Sequence, residues 1–259
     1  MFSLEGKVAI VTGGNRGIGG GIARGFAGAG ANIVIGDILI GSRDKAGELD
    51  TLDEIKRDFG VEALGIEVDV RQEADTMEMV RQTLDTFGRI DILVCNAGIG
   101  GGGILPQDTT LNKWDEIMDT NLRSLFIAAK AVYPTMKKGG GGKIISIGSM
   151  TSIFGIGAFA VYGASKGGVL QLSRSLAVAW AIDNIQVNCI LPGWINTDLS
   201  KNAKKKNPAL EKEVIARTPA GRWGEPVDIA GAALFLASRA SDFVTGTAIP
   251  VDGGYASQG

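Results

Sequence analysis

Short runs of almost uninterrupted apolar residues recur along the chain at Lys7 to Val11, Asn32 to Ile35, Ala63 to Val68, Ile90 to Val94, Lys143 to Ile147, Ile185 to Ile190 and Ala248 to Val251. Their length and their Val and Ile content predict strands, and the scarcity of polar alternation predicts strands covered on both faces. The longer stretches between them carry helical spacing. Strands alternating with helices build a parallel sheet, so the expected fold is α/β, a doubly wound seven-stranded parallel sheet of Rossmann type. Residues 1–259 read as a single domain, with no repeat and no interdomain linker. Glycine is abundant, at 39 residues, and it gathers where strands pass into helices, where tight turns and close ligand approach need it. The runs Gly100 to Gly103 and Gly139 to Gly142 read as mobile loops.

The first strand is followed by Thr12-Gly13-Gly14-Asn15-Arg16-Gly17-Ile18-Gly19 and then by a helical pattern from Gly20 to Ala29. A glycine-rich turn between strand and helix aims backbone N–H groups and the positive end of a helix at an anion, here the pyrophosphate of a dinucleotide. Gly13, Asn15, Arg16, Gly17, Ile18 and Gly19 are therefore candidate cofactor contacts. Asp37 stands at the end of the second strand, 18 residues after Gly19. A carboxylate there hydrogen-bonds both ribose hydroxyls of NAD and repels the extra phosphate of NADP. Arg16 is the opposing signal, since a basic residue in the turn can pair with that phosphate. Asp37 weighs more, because the residue after it is Ile38 and not a second basic group, and NAD is the expected cofactor in preference to NADP.

Composition narrows the chemistry. The chain has no histidine, which removes serine triads and histidine-ligated zinc. A net charge of −2 gives no electrostatic case for nucleic acid or an anionic membrane. No apolar run reaches membrane-spanning length, and the chain enters Val8-Ala9-Ile10-Val11 too early to leave room for a signal peptide. The expectation is a soluble, cytoplasmic protein acting on a small molecule. Cys95 and Cys189 lie in apolar strand-like runs and are expected to form neither a disulfide nor a metal site.

With no histidine, acid/base work falls to other groups, and Tyr162-Gly163-Ala164-Ser165-Lys166 offers one. A tyrosine four residues before a lysine shares its helical face. A free phenol titrates near ~10. An ammonium about 5 Å away contributes roughly 3 kcal/mol at an effective dielectric of about 20, enough to bring Tyr162 toward the range of a general acid/base. In isolation the same pattern also describes a solvated helix face.

Taken together, Thr12 to Gly19, Asp69-Val70, Asn96-Ala97-Gly98, Asn121, Ser149, Tyr162 with Lys166, and Pro192-Gly193 resemble the short-chain dehydrogenase/reductase family over essentially the full length. The resemblance implies that Tyr162 exchanges the hydroxyl proton while hydride moves between the substrate carbon and the nicotinamide. It implies that Lys166 lowers the phenol pKa and binds the nicotinamide ribose, that Ser149 holds the substrate oxygen, and that Asn121 anchors a water linking the lysine to solvent. Asp69 and Val70 would flank the adenine, Asn96 would stabilise the central strand, Ala97 and Gly98 would admit the cofactor, and Pro192, Gly193, Ile195 and Thr197 would meet its nicotinamide end. Cys95 departs from the asparagine common before Asn96, and Gly148 from a frequent second serine.

The segment from Trp194 to Arg217 is expected to be a substrate lid. Lys201, Lys204, Lys205 and Lys206 read either as attraction for an anionic substrate or as a solvated face. Phe154, Ile156, Phe159 and Trp194 are candidate pocket walls. Three readings stand: an NAD-dependent dehydrogenase of a polyol, sugar or other secondary alcohol; an NADPH-dependent 3-oxoacyl thioester reductase; and a nucleotide-binding regulator without turnover. By the same resemblance the assembly is expected to be a homotetramer, using the apolar stretch Val169 to Ile182.

Overall fold

The computed structural model describes residues 1–40 and 51–258. Seven parallel strands form one sheet in the order β3-β2-β1-β4-β5-β6-β7, namely β1 (Val8–Thr12), β2 (Asn32–Asp37), β3 (Ala63–Glu67), β4 (Ile92–Cys95), β5 (Gly142–Ile147), β6 (Ile185–Pro192) and β7 (Ala248–Val251). Between β1 and β4 the order reverses direction, so the connections leaving these two strands diverge and open a crevice at their carboxyl ends. Their register, Val11 opposite Val94 and Thr12 opposite Cys95, brings both strands to that crevice at the same level.

Successive residues of a strand face opposite sides, and the core splits accordingly. Ala9, Val11, Ile33 and Ile35 join the layer of α1 (Gly17–Gly28) and α9 (Pro226–Ala237). Val8, Ile10 and Val34 join the layer of α3 (Glu73–Phe87), α5 (Ser124–Lys138) and α6 (Ala160–Trp180). Helix α1 approaches α9 closely because Gly25 has no side chain: a Cβ there would meet Ala230 Cβ at 3.0 Å. The remaining helices are α2 (Thr51–Asp58), α4 (Leu111–Met118), α7 (Asp198–Lys206) and α8 (Leu210–Arg217).

In the run Gly139–Gly142, expected as a mobile loop, Gly139 and Gly140 are exposed in a turn after α5. Gly142 opens β5, where a Cβ would press on Met136, and Asn184 Nδ2 donates to the Gly140 carbonyl at 2.9 Å. Among the described residues no helix is long and apolar enough to cross a membrane.

Candidate active site

The crevice begins with the turn after β1. Gly13 and Gly17 take φ of +63° and +55°, a left-handed conformation that side-chain-bearing residues rarely adopt. Helix α1 starts at Gly17 without a side-chain cap, so its first-turn N–H groups remain available to an anion. Asn15 is buried; its Nδ2 donates to the Leu39 carbonyl at 2.7 Å, and its Oδ1 has no partner among the described residues. The Asp37 carboxylate, also buried, accepts from the N–H of Asn15 and of Leu39, each at 3.2 Å. An uncapped helix end, an orphaned amide oxygen and an oriented carboxylate at the end of β2 fit a nicotinamide dinucleotide.

Across the crevice, β4 is followed by Asn96-Ala97-Gly98. Asn96 Nδ2 donates to the carbonyls of Thr12 and Gly13 at 3.0 and 2.9 Å. Thr12 Oγ1 accepts from the N–H of Asn96 and Ala97 at 3.1 and 3.2 Å. These bonds lock the two strand ends together. Gly98 leaves room for the next shell: a Cβ there would lie 3.1 Å from Asn121 Oδ1 and 3.5 Å from Lys166 Nζ.

Asn121 sits in a π-helical turn, Asp119–Arg123, between α4 and α5. Such turns recur at functional sites. Its Oδ1 accepts from Ile99 N–H at 2.8 Å, and its Nδ2 donates to the Ile99 carbonyl and to Ser165 Oγ, both at 3.0 Å. Both Nδ2 protons are taken by protein partners, while Oδ1, with one bond, retains a second acceptor site. Ser165 passes the connection on by donating to the Tyr162 carbonyl at 2.7 Å.

Ser149 follows β5 and caps a single 3-10 turn, its Oγ accepting from Thr151 N–H at 3.1 Å. Ser152 Oγ accepts from Ser149 N–H at 3.2 Å and donates to the Lys166 carbonyl at 2.7 Å, pinning the serine loop to α6. Tyr162 and Lys166 lie one turn apart on α6, and buried Lys166 donates from Nζ to the Ile147 carbonyl at 2.7 Å.

Here the electrostatics differ from the sequence expectation. Burial pushes the Tyr162 phenol above its ordinary value, and the hydrogen bond from Ser149 offsets only part of this. Burial also pushes Lys166 down to about 8, which weakens the ammonium that was expected to lower the phenol. Burial raises the Cys95 thiol to about 12, and both cysteines are free. Among the described residues no cluster could hold a metal.

Beyond Gly193, the chain crosses over the glycine turn. Ile195 is buried, Thr197 caps α7 and packs so close that a Cβ on Gly17 would lie 3.4 Å from its Cγ2, and Asp198 pairs with Arg16 at 3.7 Å. Phe159 lies edge-on to both Tyr162 and Trp194, with ring centroids 6.3 and 6.5 Å away. Of the four lysines expected as a cluster, Lys201 pairs with Asp198, and Lys204 pairs with Glu211 while standing 4.0 Å over the Trp223 ring; the Lys206 side chain lies outside the described residues. Asp69, placed by the resemblance at the adenine, has its carboxylate held by Arg71 at 2.6 Å and its pKa lowered by that guanidinium; Val70 packs against the α3/α5 core. Sequence reasoning missed Thr12, Ser152 and Ser165, since a buried hydroxyl carries no distinctive spacing.

A doubly wound sheet with a dinucleotide turn at its switch point and a Tyr-Lys-Ser-Asn group beside it defines an oxidoreductase of the nicotinamide-dependent class. This chain belongs to the short-chain dehydrogenase/reductase family, whose enzymes act on hydroxyl and keto groups. A family model described as enoyl-(acyl carrier protein) reductase matches residues 13–256. The chain is 39% identical to a 2-dehydro-3-deoxy-D-gluconate 5-dehydrogenase of Dickeya dadantii, over 98% of this chain and 97% of that one. It is 38% identical to a 3-oxoacyl-[acyl-carrier-protein] reductase of Chlamydia muridarum, over 98% of each. The crystal structure of a putative 2-deoxy-D-gluconate 3-dehydrogenase from Agrobacterium tumefaciens, with bound NADP, is 40% identical, covers 99% of this chain and 98% of its own, and superposes with a TM-score of 0.84.

Proposed function

We propose that this enzyme interconverts a secondary alcohol and its ketone in a sugar acid, using NAD(H). The observation that carries the reading is the convergence on one cleft of the Ser149 hydroxyl, the Tyr162 phenol and the buried Lys166 ammonium, beside a turn suited to a dinucleotide. Bound NAD supplies the hydride acceptor. In the oxidation direction, Tyr162 as phenolate takes the hydroxyl proton while the carbon gives up its hydride, leaving the ketone. Ser149 hydrogen-bonds the same substrate oxygen and stabilises the charge that develops on it. Lys166, held by the Ile147 carbonyl, places its amino group beside the phenol and would hydrogen-bond the nicotinamide ribose of bound cofactor. In reduction the proton returns from Tyr162 to the forming alkoxide.

Three further features support this reading. Asp37 is oriented by two backbone N–H groups at the end of β2, where a 2′-phosphate would meet its charge, which favours NAD over NADP. The segment from Trp194 to Arg217, folded as α7 and α8 over the turn, serves as the substrate lid. Phe126 on α5 and Val178 on α6 are large apolar residues that remain exposed in one chain, which suits a homotetramer.

The second reading, NADPH-dependent reduction of a 3-oxoacyl thioester, draws on Arg16 and on the acyl-carrier-protein reductase relative. Pairing of Arg16 with Asp198 counts against it. Steady-state assays with 2-dehydro-3-deoxy-D-gluconate, D-gluconate, alditols and 3-oxoacyl thioesters, each with NAD(H) and NADP(H), separate the two. Highest kcat/KM on a sugar acid with NAD supports the proposal; highest kcat/KM on a thioester with NADPH overturns it.

A further inference from the structure

Arg217 closes α8 with its guanidinium carbon 4.5 Å from the centre of the Tyr255 ring and 5.6 Å from that of Phe154. The two rings are stacked, 6.1 Å apart and 24° from parallel. Most described arginines are matched to a carboxylate: Arg24 with Glu54, Arg71 with Asp69, Arg81 with Glu78, Arg89 with Asp91, and Arg222 with Asp228. Among the described residues Arg217 has no such partner, and no acceptor takes any of its N–H groups. Arg174 and Arg239 also lack a carboxylate, but neither is held by aromatic rings. Aromatic faces fix a guanidinium in place without using its donors, which leaves the fork free for a carboxylate.

Its position in the fold ties it to the cleft. Phe154 stands five residues beyond Ser149 on the same loop. Thr218, next to Arg217, packs under the turn that carries Tyr255: a Cβ on Gly253 would lie 2.9 Å from Thr218 Cγ2. The other end of that turn abuts Gly193, whose Cβ would come within 2.7 Å of Asp252. The guanidinium is thus mounted on elements that adjoin both the serine loop and the chain leaving β6. By contrast, Lys201 and Lys204 of the same segment already have carboxylate partners.

We propose that Arg217, braced by Phe154 and Tyr255, binds the carboxylate of the sugar-acid substrate and so selects acids over neutral polyols. The inference rests on the sugar-acid reading above. D-Gluconate and D-sorbitol test it, because they share a carbon skeleton and differ in carboxylate against hydroxymethyl at one end. NAD-linked oxidation of both is measured for wild type, Arg217→Lys and Arg217→Met, the methionine preserving apolar packing against the rings. Arg217→Met should raise the KM for D-gluconate about tenfold or more while its KM for NAD stays at the wild-type value, and Arg217→Lys should recover part of the loss. The preference for D-gluconate over D-sorbitol should fall by the same factor. If wild type oxidises D-gluconate and Arg217→Met leaves its KM unchanged, or weakens D-gluconate, D-sorbitol and NAD alike, the assignment of Arg217 is overturned while the sugar-acid reading stands. If wild type oxidises D-sorbitol and other neutral alcohols but no sugar acid, the sugar-acid reading fails, and the role of Arg217 fails with it.

Discussion

Lys166 Nζ lies 5.8 Å from the centre of the Tyr162 ring and donates a hydrogen bond, at 2.7 Å, to the carbonyl of Ile147. The ammonium is therefore positioned by the end of β5 rather than by the phenol it assists. Burial acts on both groups in the direction of their neutral forms. Alcohol oxidation needs the phenolate, whereas ketone reduction needs the phenol. The kcat for oxidation should accordingly rise with pH across the alkaline range, and the kcat for reduction should fall over the same range. Parallel pH profiles in the two directions check this, and profiles of the same slope would contradict it.

Burial of Lys166 also has a stability consequence. Its native pKa near 8 lies below the ordinary 10.5, so between these values the unfolded chain binds a proton that the native chain does not. Stability then rises with pH across that window, and below pH 8 the full penalty is present, worth up to about 3 kcal/mol. Lys166→Met removes the titrating group. Urea unfolding of the cofactor-free protein should show wild type gaining stability relative to Lys166→Met from about pH 8 to about pH 10.5. A constant difference over that range would argue against a buried, depressed lysine.

Ser152 joins Ser149 to the Lys166 carbonyl and touches neither substrate nor cofactor in this scheme, which makes it a positioning residue. Ser152→Ala should lower kcat by about tenfold with the KM for NAD unchanged, and Ser152→Thr, which retains the hydroxyl, should restore most of it. Equal losses in the alanine and threonine variants would point to packing instead.

At Asp37, a serine substitution keeps an acceptor near the N–H groups of Asn15 and Leu39 but removes the charge. Asp37→Ser should shift the ratio of kcat/KM for NADP over NAD upward by about tenfold or more. An unchanged ratio would remove Asp37 from cofactor selection.

Much of this was legible in the chain. Doubly covered strands need continuous apolar runs, so all seven could be read, although β6 runs on through Pro192 and β2 through Asp37, where polar or proline residues end the signal. Tyr162, Lys166, Ser149 and Asn121 were visible because their spacing is tied to strand ends and to one helical turn. Contacts between distant segments were not: Arg16 meets Asp198, and Arg217 meets Phe154 and Tyr255, only once the chain has folded into one sheet in which β4 and β5 lie between β1 and β6. Ser152 and Ser165 escaped because a serine hydroxyl serves turns throughout the chain. The depressed lysine escaped because helical spacing gives proximity but says nothing of desolvation.

The central claim is that Tyr162 moves the substrate proton. Tyr162→Phe keeps the ring against Phe159 and Lys166 and removes only the hydroxyl. With the best sugar acid identified and NAD saturating, the account predicts that kcat falls about a hundredfold or more while the dissociation constant for NADH, followed by its fluorescence, stays within about twofold of wild type. Turnover by Tyr162→Phe at the wild-type rate would contradict it.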